Sequence, residues 1–316
     1  MSRLMRVLYF GDPRAGLGLL ESSGIQLSGV VHGRSGGEGA RRFSSALKCL
    51  ETSHSIPRWR LPNLEDASIL SALKATKPDL IISTFYPRRI PEEVLKIAPG
   101  INVHPSALPL WRGPDPAYWV IRSQELETAI TIHRLSPLLD EGEILSQRVL
   151  KVKRRESGGA LAVRLERAAA TDIVQYAQRS SELFAHSKRK WLESLQGRSQ
   201  TGETSWAPLM DPNELEVDWS ISAEEVDAFI RAAAPDPCAF TGFGNDLMVI
   251  HRGRVGMLAQ ALSESEGSEI PLGQALIDEG RCLIRCGSGF YQLDEVTIGR
   301  RRLSGERLAK LLTGAT

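Results

Sequence analysis

In the first third of the chain, short apolar runs alternate with segments whose apolar residues fall at helical intervals. RVLYFG (6–11), IQLSGVVH (25–32), DLIISTFY (79–86) and GINVH (100–104) are short and mostly apolar. Between them, DASILSALKATKPD (66–79) reads as a helix broken before Pro78, and EEVLKIAP (92–99) as a short helix. Strands that lack a polar face, alternating with helices, predict a mostly parallel sheet covered on both sides. Further on, TAITIHRLSPLLDEGEILSQ (128–147) predicts an alternating strand, a loop and another strand.

The pattern changes after residue 213. Ser222 followed by Glu225 predicts a capping box opening the helix AEEVDAFIRAAA, which Pro235 ends. LMVIHRGRV, GQALIDEG and RCLIRCGSGFYQLDEVTI then read as short strands, and GERLAKLLT as a last helix. We therefore expect three parts: residues 1–190, a linker over 191–213 centred on KWLESLQGRSQTGETSWAPLM, and a small β-rich domain over 214–316.

Bulk composition narrows the setting. The 316 residues are 42% hydrophobic and 24% charged, with a net charge of +1, which suits a globular protein and gives no general coat for nucleic acid. The chain shows no apolar leader and no long apolar run, so it reads as cytoplasmic and without a membrane partner. Cys49, Cys238, Cys282 and Cys286 are too scattered for a metal-ligand pair or a disulfide framework, and Cys282 and Cys286 read as small core residues.

A dinucleotide-binding fold is the first competitor. The turn after the first run is GDPRAGLGLL, whose glycines, Gly11, Gly16 and Gly18, do not have the phosphate-binding spacing. Pro13 also removes an N–H that such a turn requires. No NAD is expected, and no G-x-x-x-x-G-K-[ST] loop occurs.

The chemistry concentrates at residues 101–119, INVHPSALPLWRGPDPAYW. In a strand, residues two apart share a face, so Asn102 and His104 project together at the carboxyl end, where such sheets bind ligands. Pro105 holds His104 extended. An amide can donate to a developing oxyanion and a neutral imidazole can accept a proton, a pair that suits acyl transfer; the alternative is a histidine that caps the strand by bonding a backbone carbonyl. Asp140, in the LLDEGE loop beside Gly142, reads either as a carboxylate that orients His104 and favours its protonated form or as a turn aspartate.

Asn102, His104, Ser106, the LPLWRG that follows and DEGEILSQ (140–147) together resemble the formyltransferase family that uses 10-formyltetrahydrofolate. The family motif is close to N-x-H-x-S-L-L-P-x-x-R-G, and here Ala107 replaces its first leucine. Residues 214–243 are similar to the opening of the C-terminal domain of methionyl-tRNA formyltransferases, with D-W-S, an Ile-Arg in the helix and a Pro-x-Pro-x-Ala-Phe-Thr. The resemblance implies a Rossmann-like α/β catalytic domain followed by a small OB-like β-barrel.

It also implies formyl transfer from 10-formyltetrahydrofolate to a primary amine, with no metal. Asn102 would polarise the formyl oxygen, His104 would handle the amine proton, and Asp140 would hold His104. The folate is expected along FYPRRIP (85–91), at Arg88, Arg89 and Ile90, mainly through backbone, and against Leu138 and Gly142. Arg42, Ser106, Arg112, Gly113 and Asp115 are the candidate acceptor contacts, with Ser106 serving better to fix its loop than as a nucleophile.

Two acceptors follow from the resemblance. The C-terminal match and the basic, glycine-rich HGRSGGEGARRF (32–43), with Arg34, Arg41 and Arg42, point to methionyl-tRNA. FYPRRIP and Trp119 are more similar to sugar-nucleotide N-formyltransferases, and point to a small-molecule amine. A 10-formyltetrahydrofolate hydrolase would use the same three residues but usually carries an extra N-terminal domain, whereas this chain opens at its first strand. An RNA-binding module without catalysis would not need Asn102, His104 and Asp140 together.

Overall fold

The computed structural model describes residues 3–11, 13–33, 56–258 and 270–313. They form two compact units. The first comprises residues up to Pro116, Glu127–Lys151 and Arg164–Pro208; the second comprises Ala117–Leu126, Val152–Val163 and Leu209 onward.

The first unit is built on a seven-stranded sheet in the order β3-β2-β1-β4-β5-β6-β7. Its strands are β1 (Met5–Gly11), β2 (Ile25–His32), β3 (Arg58–Arg60), β4 (Leu80–Thr84), β5 (Gly100–His104), β6 (Glu127–Arg134) and β7 (Ile144–Lys151). The first five strands of the chain are parallel, and β6 and β7 join antiparallel. β1 and β4 are almost fully buried, as expected of strands covered on both faces. Leu8, Phe10, Val31 and Ile81 pack with Leu73 of α2 (Ala67–Ala75) and Val94 of α3 (Glu92–Leu95). Asp66 caps α2 by accepting the Ser68 N–H at 2.7 Å.

The pattern reading does not anticipate the longest helix, α5 (Gly158–His186); α1 is Pro13–Leu20 and α4 is Pro116–Arg122. In α5, Leu165, Ala169, Ile173, Ala177 and Phe184 are buried, and their spacing makes one apolar stripe. Val174 lies against Gly18 of α1. Trp191, in α6 (Lys188–Ser194), is also buried, and its indole N–H donates to Ser180 Oγ at 2.7 Å. Residues 191–208, expected to be part of a linker, thus belong to the first unit, with Leu195 and Ala207 buried as well.

The second unit holds a six-stranded antiparallel sheet, ordered β10-β11-β12-β9-β8 with β13 paired to β12. The strands are β8 (Ala239–Phe243), β9 (Asp246–Gly256), β10 (Ala275–Asp278), β11 (Arg281–Arg285), β12 (Phe290–Ile298) and β13 (Arg301–Ser304). Helix α7 (Ala223–Ala233) opens with the expected capping box between Ser222 and Glu225 and buries Val226, Phe229 and Ile230. α8 (Gly305–Thr313) buries Leu308 and Ala309.

Inside this unit Asp227 of α7 is buried between two arginines, Arg231 at 2.7 Å and Arg155 at 3.1 Å. Cys238, Cys282 and Cys286 are free and buried, and burial pushes the Cys282 thiol up to about 12 and the Cys286 thiol to about 11. These are inert core positions. Among the described residues no helix is long and apolar enough to cross a membrane.

Candidate active site

β5 ends the parallel part of the sheet, and its last residues carry the site. Asn102 and His104 lie on one face of β5, and the antiparallel ladder sets His133 opposite Asn102 and Thr131 opposite His104. The loop after β6 brings Asp140 to the same place. Its backbone is left-handed there, with φ at 55°. Gly142, two residues on, packs so closely that an added Cβ would lie 1.8 Å from the Arg134 carbonyl oxygen. Only glycine permits that approach, so the loop shape depends on it.

Asp140 is the hub. His104 Nδ1 lies 3.4 Å from Oδ2, which also accepts the Gly113 N–H at 2.9 Å. His133 Nε2 is 3.5 Å from Oδ1, as is the Asn102 amide nitrogen. Asn102 Nδ2 is closer to His133 Nε2, at 3.1 Å. The other His133 nitrogen, Nδ1, sits 2.8 Å from the Arg134 carbonyl oxygen and must therefore carry a proton. With Nε2 as the acceptor, the Asn102 amide turns its NH2 inward, since the flipped amide would set its oxygen against Asp140 Oδ1.

His104 has its own anchor. Nε2 lies 2.8 Å from the Trp111 carbonyl oxygen, so Nε2 carries a proton and Nδ1 faces Asp140. Burial lowers the His104 pKa below its ordinary value, and Asp140 and the Trp111 carbonyl only partly oppose this. A neutral imidazole results, able to take a proton on the side of the carboxylate. Burial alone would raise the Asp140 carboxyl, but His104, His133 and the Gly113 N–H outweigh it and hold Asp140 below its usual range. The arrangement therefore contains an ionised acid, a neutral base and an amide donor within hydrogen-bond reach, which suits acyl transfer.

The structure brings Asn102, His104 and Asp140 together, and adds His133, which the sequence reading passed over. The available signal was a histidine alternating with Thr131 in the strand just before the Asp140 loop. Ser106 is placed to fix its loop. Its side chain is fully buried and donates to the Leu110 carbonyl at 2.6 Å, while its own carbonyl accepts from Thr131 Oγ1. It shapes the loop, and its hydroxyl hydrogen is committed there. Gly113 likewise spends its N–H on Asp140.

Arg112 lies beside the site, paired with Glu141 at 3.2 Å and with the Gln200 Oε1 at 2.7 Å. Asp115 is half-buried, and its N–H donates to the Ala207 carbonyl. Of the expected folate contacts, Arg88 and Arg89 are exposed after β4, Leu138 is exposed, and the Ile90 side chain is buried in the core, where only its backbone remains to offer. Arg34, Arg41, Arg42 and Cys49 lie outside the described residues.

Comparison with known proteins gives this geometry a setting. Residues 22–176 match the family described as formyl transferase, and residues 209–312 match the formyl transferase C-terminal domain. The methionyl-tRNA formyltransferase of Alkaliphilus oremlandii is 28% identical over 96% of this chain and 95% of its own length. That of Anaeromyxobacter sp. strain K is 29% identical over 90% and 89%. Among solved structures, an N-formyltransferase from Helicobacter canadensis, crystallised with folinic acid and dTDP-3-aminofucose, shares the fold. Its TM-score is 0.60 at 14% identity, over 93% of this chain and 100% of that one. HypX from Aquifex aeolicus, in complex with tetrahydrofolic acid, aligns at a TM-score of 0.55 and 18% identity over 98% of this chain. The present chain spans only 47% of HypX.

Proposed function

The chain belongs to the formyltransferase family, matched in both of its parts, and from that premise we propose that it transfers a formyl group from 10-formyltetrahydrofolate to a primary amine. The observation that carries the reading is the Asp140 carboxylate lying within 3.5 Å of His104, His133 and the Asn102 amide, and accepting the Gly113 N–H, at the carboxyl end of β5.

The contacts support the following roles. The acceptor amine attacks the formyl carbon, and the formyl oxygen gains negative charge. Asn102 faces that oxygen with the amide hydrogen held only by the long 3.5 Å contact to Asp140, the other being fixed on His133. His104, neutral at rest, takes up the amine proton, with a water held by Asp140 as relay. The ionised Asp140 stabilises the resulting imidazolium. Collapse of the tetrahedral adduct breaks the bond to N10, and the proton passes to that nitrogen. In this reading residues 85–91 and 138–142 flank the folate.

For the acceptor we take initiator methionyl-tRNA. Relatives bearing that activity in their names align along 90–96% of the chain, and the C-terminal part matches its own family domain. The test is tetrahydrofolate release from 10-formyltetrahydrofolate with methionyl-tRNA, with a panel of amino sugars, and with no acceptor. Stimulation by methionyl-tRNA supports the reading; stimulation by an amino sugar alone replaces the acceptor, and release without acceptor replaces the reaction by hydrolysis.

A further inference from the structure

His104 is held at both ring nitrogens, and both holds lead to one distant segment. Nε2 donates to the Trp111 carbonyl, and Nδ1 faces the Asp140 carboxylate at 3.4 Å. Neither partner sits in a regular element. Trp111 has φ at 58° and Asp140 at 55°, backbone conformations that cost free energy unless surrounding bonds impose them.

Those bonds come from residues 198–207. The Gln200 side-chain amide donates to the Asp140 carbonyl at 2.7 Å and to the Gly142 carbonyl at 2.8 Å, bridging the turn that carries the carboxylate. Its Oε1 accepts the Arg112 guanidinium, whose Nη1 pairs with Glu141 on the same loop. Five residues on, Ser205 Oγ accepts the Trp111 N–H at 2.8 Å and the Ser205 carbonyl accepts the Arg112 N–H at 3.0 Å. The Ala207 N–H returns a bond to the Arg112 carbonyl, and the indole of Trp206 lies against Gly113. The Arg198 N–H and carbonyl pair with Ile144 and anchor the start of the segment to β7.

We propose that residues 198–207 are a positioning strap for His104, in which Gln200 fixes the turn that carries Asp140 and Ser205 fixes the loop that carries the Trp111 carbonyl. Gln200 and Ser205 are positioning residues, since neither reaches the reacting groups. The strap rests on the formyl-transfer reading for its purpose, though not for its geometry. Its effect is on proton affinity. Asp140 from the loop after β6 and the Trp111 carbonyl from the loop after β5 both favour the protonated ring, whereas burial and His133 from β6 oppose it. Loosening either hold therefore moves the His104 titration downward and leaves the base poorly oriented.

The experiment uses the full chain with labelled histidines, so that His104 is titrated by NMR without depending on activity, its resonance assigned with His104→Gln. Gln200→Met keeps the side-chain length and removes the amide; Ser205→Ala removes the Oγ that accepts the Trp111 N–H. A downward shift of about half a pH unit or more in His104 is expected in each variant. In the same variants kcat for formyl transfer should fall roughly 10- to 100-fold with a smaller change in the KM for folate. The acid limb of the pH profile should move with the NMR midpoint.

A His104 midpoint equal to the wild type in both variants overturns the strap. So does loss of folding in both, which would make the segment scaffold alone. If the wild-type chain turns over no amine, the formyl-transfer reading fails, and the NMR titration still decides the strap.

Discussion

Asn102 and His133 face each other across the β5–β6 ladder, with the amide nitrogen 3.1 Å from His133 Nε2. Because His133 Nδ1 is committed to the Arg134 carbonyl, the imidazole determines which way the Asn102 amide points. An oxyanion donor is useful only when it is aimed before the charge develops. His133→Ala should therefore lower kcat by about 10-fold or more while the folate KM changes little. Steady-state kinetics with both substrates varied checks this, and a pure KM effect would give His133 a different role.

On the proposed mechanism, Asn102 itself carries a larger share. Asn102→Ala removes the amide donor and should lower kcat by roughly 100- to 1,000-fold. The chain should remain folded, since the site is half-open at Asn102. Comparing kcat with the thermal midpoint separates loss of chemistry from loss of structure.

The acid side of the pH range should affect both activity and stability. His104 titrates below its ordinary 6.5, so turnover should persist somewhat below that pH and decline only as the ring becomes protonated. A group whose folded pKa is depressed supports the fold fully above its unfolded pKa, and that support is lost as pH falls through the folded value. For His104 the loss begins below about 6.5, and for Asp140 below 3.8. Urea unfolding against pH should show stability declining across both windows. His104→Gln should flatten the first.

Gly142→Ala places a Cβ where the Arg134 carbonyl oxygen already sits. Overpacking against backbone should cost about 2 kcal/mol or more and displace Asp140, so activity falls further than the folded fraction. Denaturant melts and turnover on the same preparation check both parts.

The second unit has its own test. Asp227→Ala would leave Arg155 and Arg231 without their shared carboxylate. We expect a loss of about 2 kcal/mol, less than for a fully buried pair because Arg155 is 43% exposed. Calorimetry of the full chain reads it.

Where the sequence was legible, one local rule sufficed. The period of a strand put Asn102 and His104 on one face, apolar runs without a polar side marked β1 and β4, and Ser222 with Glu225 marked the start of α7. Asp140 was legible only through the family resemblance, since an acidic residue beside a glycine also reads as a turn aspartate. His133 was not, since a histidine inside an otherwise apolar strand looks like part of the alternation. The contacts of Gln200 were illegible for another reason: 60 residues separate it from Asp140, and no local pattern encodes such a pairing. The same holds for Trp191, whose burial against α5 turned an expected linker into part of the first unit.

The central claim is formyl transfer through Asn102, His104 and Asp140. The most direct measurement is tetrahydrofolate release from 10-formyltetrahydrofolate with methionyl-tRNA, comparing the wild-type chain with His104→Ala. The account predicts turnover that depends on the acceptor and is lost in the variant, with formyl recovered on the methionyl amine. Equal turnover in the two proteins, or release indifferent to any amine, would contradict it.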